Sequence, residues 1–236
     1  MGKEDNNLAL NLSLDNIQGR IAAILDKNED TADITAADYS LRREYINMAQ
    51  HEWAETYDWR SLYRESNLRV STSTGNASVV LPSDFRKLAN FPRITFDGVT
   101  SEYFPEIRPQ EKYMYADTDR YITILGDQNA GLTMFINAGT LASGASISLP
   151  YYRSPASLVS PANIAMCPNP EYLVQRSLAY WWEASADSRF PQAKQEADKI
   201  LRQMLEYEQV YGEGYDNRVY TVERTDFNSF RWGKSG

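Results

Sequence analysis

The sequence predicts an α+β chain: a four-helix bundle-like body, an antiparallel β insertion between its second and third helices, and an extended C-terminal arm. Three observations predict it. Apolar residues recur at three- and four-residue spacing near both ends of the 236-residue chain. Between those ends, short alternating runs are separated by turn dipeptides. From Gly212 onward, aromatic and charged residues mix without any period.

The helices follow from spacing and caps. Residues 1–12 read as disordered or loosely docked. Leu14, Ile17, Ile21, Ile24 and Leu25 then mark one face of a helix ending near Lys27. Asn28 to Asp33 is an acidic loop, after which Thr35 and Asp38 form a capping-box-like start with Ile34 as a staple. The second helix carries Leu41, Tyr45, Ile46, Ala49, Trp53 and Tyr57 on one stripe and ends near Trp59. Asn169 caps the third helix and Pro170 opens it, the position where a missing N–H costs nothing. Its apolar positions are Leu173, Val174, Leu178, Trp181 and Trp182, and it runs to about Ala186. Pro191 opens the fourth, which buries Ala193, Ala197, Ile200, Leu201, Met204 and Leu205 and stops at Gly212.

The middle of the chain follows a different rule. Strands are expected at Asn67–Val70, Ala77–Leu81, Arg93–Phe96, Tyr121–Leu125, Leu132–Asn137 and Ala145–Leu149. Gly75-Asn76, Asp97-Gly98, Gly126-Asp127, Asn129-Ala130-Gly131 and Ser143-Gly144 supply the backbone freedom that tight hairpins demand. The expected division is therefore a helical body of 13–65 with 167–211, a β insertion of 66–152, a return linker of 153–166, and an arm of 212–236. The arm balances Glu213, Asp216, Glu223 and Asp226 against Arg218, Arg224, Arg231 and Lys234. With Tyr215, Tyr220, Phe227, Phe230 and Trp232 among those charges, it suits a segment that orders on a partner; the other reading packs it back on its own domain.

Composition narrows the function classes. Lys and Arg number 24 against 32 Asp and Glu, a net charge of −8. A protein that grips DNA needs a basic excess to displace counterions, so general DNA binding is excluded; a surface that DNA slides past is not. The single Cys167 cannot close an internal disulfide, no apolar run approaches the length of a membrane span, and the polar N-terminus is unlike a signal peptide. The expectation is a soluble protein made in the cytoplasm.

Chemistry finds little support. His51 and Cys167 are too few for a zinc site, and His51-Glu52 lacks the second histidine of a metalloprotease helix. No nucleophile elbow or phosphate-binding glycine loop is present. Gly126 to Gly131 reads as a hairpin tip rather than a calcium loop, and the Glu102 and Glu106 pair is a combination any acidic protein offers. No catalytic, cofactor-binding or metal residue is assigned, and no enzyme activity is expected.

The stretch Arg42 to Leu62, with Ile46-Asn47-Met48-Ala49 ahead of Trp53, Tyr57 and a closing Trp59, resembles the first long helix of the head-to-tail adaptor (connector) proteins of tailed bacteriophages. Leu81 to Lys87 resembles the loop that leads into their β insertion. Tyr151 to Pro155 with Pro168 to Leu173 resembles the return to the second pair of helices, and Phe190 to Glu208 their last long helix. The chain is similar over roughly residues 14–211 to this group, which includes the tail tubular A proteins of short-tailed phages.

The resemblance implies a structural virion protein at the neck. It implies a ring of about twelve copies closed by heterologous interfaces, seated on the portal, with a tail nozzle or tube below and genomic DNA passing through without specific binding. It also implies a C-terminal portal-docking arm, carried here onto Tyr215, Arg218, Tyr220, Arg224, Phe227, Phe230, Arg231 and Trp232. The alternatives are another tail-completion or neck assembly protein and a β-module that binds carbohydrate through exposed aromatics.

Overall fold

The computed structural model describes residues 13–25, 36–73, 76–89, 93–96, 100–116, 119–127, 131–137 and 145–209. The fold mixes α-helices with two antiparallel sheets and divides into two compact units, 1–57 with 157–236, and 58–156. The Ile34–Thr35 helix start, the turn residues at 74–75, 97–99, 128–130 and 141–144, Gly212 and the whole arm lie outside the described residues.

In the first unit, helices α1 (Leu14–Leu25), α2 (Ala36–Thr56) and α3 (Pro170–Ala184) pack on one another. A further helix, α4, covers 190–209. On α1, Leu14, Ile17 and Ile21 are buried as their spacing predicts. Its first free N–H groups are taken up by backbone: Leu14 donates to the Asn163 carbonyl at 2.9 Å and Asp15 to Pro161 at 3.1 Å. Asn169 caps α3 by accepting from the Glu171 N–H at 3.0 Å. Beyond the other end of α3, Ala186 takes a left-handed backbone, φ 54°, as helix stops do. Ala193, Ala197, Ile200 and Met204 line the buried face of α4.

The stripe on α2 differs from the expected one. Ile46, Ala49 and Trp53 are buried, but Leu41 is exposed, and the interior face instead includes Arg42 and Gln50. For Gln50 the reason is the segment 157–168, which has no regular structure and must satisfy its backbone elsewhere. Side chains of α2 do this. Asn47 accepts from the Leu158 N–H at 2.7 Å and donates to the Leu158 carbonyl at 3.1 Å. The Gln50 amide oxygen accepts from the Met166 N–H at 2.8 Å. Asn163 closes the loop on itself by accepting from Val159 and Ser160. The segment is a strap held to α2 by hydrogen bonds.

In the second unit, strands β1 (Tyr63–Arg69), β4 (Phe85–Leu88), β5 (Arg93–Phe96), β6 (Thr100–Tyr103) and β9 (Ser146–Arg153) form one sheet, with β9 pairing β1, β4 and β5. Strands β2 (Ser71–Ser73), β3 (Asn76–Val80), β8 (Gly131–Asn137) and β7 (Tyr121–Asp127) form the other, in the order β2-β3-β8-β7. Val79, Ile122, Met134 and Ile136 from one sheet share a core with Ile147, Leu149 and Tyr151 from the other. Alternating residues point to opposite faces of a strand, so the two inner faces build this core.

The strands overrun their sequence signals. Leu81 to Lys87 reads as a loop, yet Phe85–Leu88 forms β4 against Tyr151 to Arg153. The run at 145–149 reads as ending before Pro150, yet β9 continues through Tyr151 and Tyr152. Pro150 is tolerated because it falls where β9 changes partner. Ser146 to Ser148 pair with β5, Tyr151 to Arg153 pair with β4, and the proline carbonyl accepts from the Ala89 N–H at 3.0 Å.

Candidate interaction surface

The β7–β8 hairpin narrows toward Asp127, opposite Gly131. Gly126 has φ 109°, and a Cβ there would meet the Gly131 carbonyl oxygen at 2.3 Å, so this position accepts only glycine. On the outer face of the sheet, Val80, Leu125 and Phe135 stand exposed. A 3-10 turn, Pro109–Met114, follows β6; its Tyr113 and Met114 are each 84% exposed. Large apolar side chains held this far out on ordered backbone are the kind of anchor that protein interfaces bury.

The first unit has its own exposed apolar positions. Val159 and Ile164 stand out from the strap at 66% and 70% exposure, and Met48 is exposed on α2. The strap backbone beneath them is fixed by the hydrogen bonds above, so these side chains cost little further ordering when a partner covers them.

The polar clusters of this unit brace the helices. Arg176 on α3 donates through Nε and Nη2 to the Glu52 carboxylate on α2, both at 2.6 Å. The Tyr180 hydroxyl donates to the same carboxylate. Burial, with the Glu52 charge behind it, pushes the Tyr180 phenol up to about 12. Burial works against the Arg176 guanidinium, but its hydrogen bond to Glu52 and the carboxylate charge outweigh that and hold its pKa above the usual value. Tyr45 rests against Tyr180 and Trp181, and Arg42 lies over Trp181 at 5.6 Å. The arrangement fits a clamp between two helices.

Among the described residues, no group of three or more His, Cys, Asp or Glu side chains is placed to hold a metal ion, and no helix is long and apolar enough to cross a membrane. His51 is half-buried on α2. Cys167 is fully buried, and burial pushes its thiol up to about 12. Only the thiolate attacks an alkylating reagent, so Cys167 should resist iodoacetamide at pH 8 in the folded chain and react once urea unfolds it. Mass spectrometry of the alkylated protein checks this, and rapid labelling without urea would contradict the burial. Of the acid pair, Glu106 lines a small groove beside β7, and burial raises its carboxyl pKa above the ordinary value. The side chain of Glu102 lies outside the described residues, as do the arm positions Tyr215, Arg218, Tyr220, Arg224, Phe227, Phe230, Arg231 and Trp232.

The exposed anchors of both units were not singled out by sequence reasoning. Only the Pro109-to-Tyr115 stretch carried a signal, two tyrosines and a methionine crowded into a polar turn. No curated protein matches the chain. A family model described as SU10 adaptor protein matches residues 12–224, from the threshold of α1 into the arm. That match spans both units and agrees with the head-to-tail adaptor resemblance of the α2 stretch: the chain belongs to the SU10 adaptor protein family.

Proposed function

We propose that this chain is a structural virion protein of the neck, an adaptor ring of about twelve copies that joins the portal to the tail nozzle or tube and continues the DNA channel. The observation that carries the reading is the family match over residues 12–224. In this reading the four helices form a bundle-like body, the β insertion faces a neighbouring subunit or the tail, the return linker ties the two together, and residues 212–236 dock on the portal. The exposed apolar side chains at Tyr113, Met114, Val159 and Ile164 support it, because assembly would remove them from water. The net charge of −8 supports a channel that DNA passes without specific binding.

Deleting 212–236 tests the arm. The truncated chain should fold with an unchanged circular dichroism spectrum yet fail to join its portal, read by native mass spectrometry and negative-stain imaging of the mixture. Normal incorporation of the truncated chain would overturn the docking-arm assignment. A full-length chain that forms no ring with the portal would overturn the adaptor-ring reading itself.

A further inference from the structure

We propose that the open edge of β7 receives the segment Arg218–Glu223 from a second copy of this chain, which adds a strand to the four-stranded sheet. The donor's identity as a neighbouring subunit rests on the ring reading above. β7 pairs with β8 along its whole length, from Tyr121 opposite Asn137 to Asp127 opposite Gly131. On its other side Ile122 is already bonded: its N–H donates to Pro105 at 2.9 Å, and its carbonyl accepts from Ile107 at 3.0 Å. Backbone groups alternate sides along a strand, so Ile124 presents its N–H and carbonyl on that same outer side. By then the chain has turned away into the 3-10 turn, and among the described residues nothing takes up these groups. Where 106–109 leaves the edge, a cavity of about 360 Å³ opens, lined by Ile107, Pro109 and Ile124 with Glu106 and Arg108. An open edge beside a groove of mixed lining is a geometry for strand addition: main-chain hydrogen bonds supply affinity, and Ile107, Pro109 and Ile124 offer apolar contact to alternate side chains.

The chain's own sequence offers the complement. Val219-Tyr220-Thr221-Val222 is a run of β-branched and aromatic residues, the types that favour strands, in a segment otherwise rich in charge, Gly and Asn. Arg218 and Glu223 bracket it, as Glu106 and Arg108 flank the cavity, so each side offers one charge of each sign. The family match ends at 224, so this run falls inside it, whereas Phe227, Phe230 and Trp232 lie beyond it. Gln209, the last described residue of α4, and Arg218 are nine residue steps apart. Fully extended, that stretch reaches about 30 Å. Donor segment and acceptor edge are unlike surfaces, which is what a ring closed by rotation requires. The portal-docking part of the arm then narrows to its aromatic end beyond Glu223, and Arg218 and Tyr220 serve the neighbour instead.

Cysteine pairing tests it in the full chain, with the buried Cys167 left in place. Leu125→Cys, exposed on β7, is combined in turn with Val219→Cys, Tyr220→Cys, Thr221→Cys and Val222→Cys, and portal-bound protein is mildly oxidised. A paired strand places every second residue on one face. The expected result is interchain disulfides several-fold more abundant for one alternate pair of positions, 219 and 221 or 220 and 222, than for the other. Disulfides within one chain, no disulfides, or equal yields at all four positions would overturn strand addition between copies. Rings that form without the alternating pattern sink this inference alone. The alternating pattern in assemblies that never close into rings would keep it and overturn the ring.

Discussion

Trp53→Ala is expected to remove about 3–5 kcal/mol of folding stability, the largest loss from any tryptophan among the described residues. Trp53 is fully buried on α2, the helix that packs against α1 and α3, and is among the largest side chains wholly removed from water. Truncating an indole there gives up its transfer free energy and leaves a void that close-packed neighbours collapse to fill only in part. The fall should appear as a lower urea midpoint at unchanged slope. Two comparisons sharpen the test. Trp181 is only half-buried and contributes through an edge contact with Tyr45 and a cation over its ring, so Trp181→Ala should cost less than half as much. Tyr113→Ala, at a position 84% exposed, should stay within about 0.5 kcal/mol of the parent. If Trp53→Ala proved as mild as Tyr113→Ala, the packing of α2 described above would be wrong.

Legibility in the sequence divides along a physical line. α1 and α3 were readable because hydrophobic spacing and local caps decide them: Leu14, Ile17 and Ile21 are buried, and Asn169 caps where its position says it should. Half of the α2 face was not. The predicted stripe includes Leu41 and omits Gln50, yet Leu41 is exposed and Gln50 is buried, where the backbone of a strap more than a hundred residues away needs it. Polar residues that serve distant backbone look like surface residues in any local window. β4 was hidden for a related reason: Phe85 to Leu88 lacks strand alternation, and only its pairing to β9 makes it a strand. The interaction surface was the least legible part. An open edge such as that of β7 is defined by which neighbour is missing, and exposed Tyr113 and Met114 differ from core residues only once burial is known.

Asn47→Ala should destabilise the first unit by about 2–3 kcal/mol, although it deletes only a half-buried polar group. Leu158 is 3% exposed, so its N–H and carbonyl have no access to water when the Asn47 amide is gone. Two backbone groups would then sit unpaired in the interior, each costing of order 1 kcal/mol or more. Amide hydrogen exchange should accelerate at Leu158 and extend to Met166, whose partner Gln50 lies one turn further along α2. Asn47→Asp separates the two bonds. Its carboxylate can still accept from the Leu158 N–H but faces the Leu158 carbonyl with a negative charge, which raises its folded pKa above the unfolded value. Protonation restores a donor, so this variant should gain stability relative to the parent as pH falls through that raised pKa and lose it as pH rises. A flat pH profile would mean the strap is held by packing and not by Asn47. The same geometry accounts for the adaptor-like Ile46-Asn47-Met48-Ala49 run: Ile46 and Ala49 fill the helical core, Asn47 holds the strap, and Met48 is the one exposed to solvent.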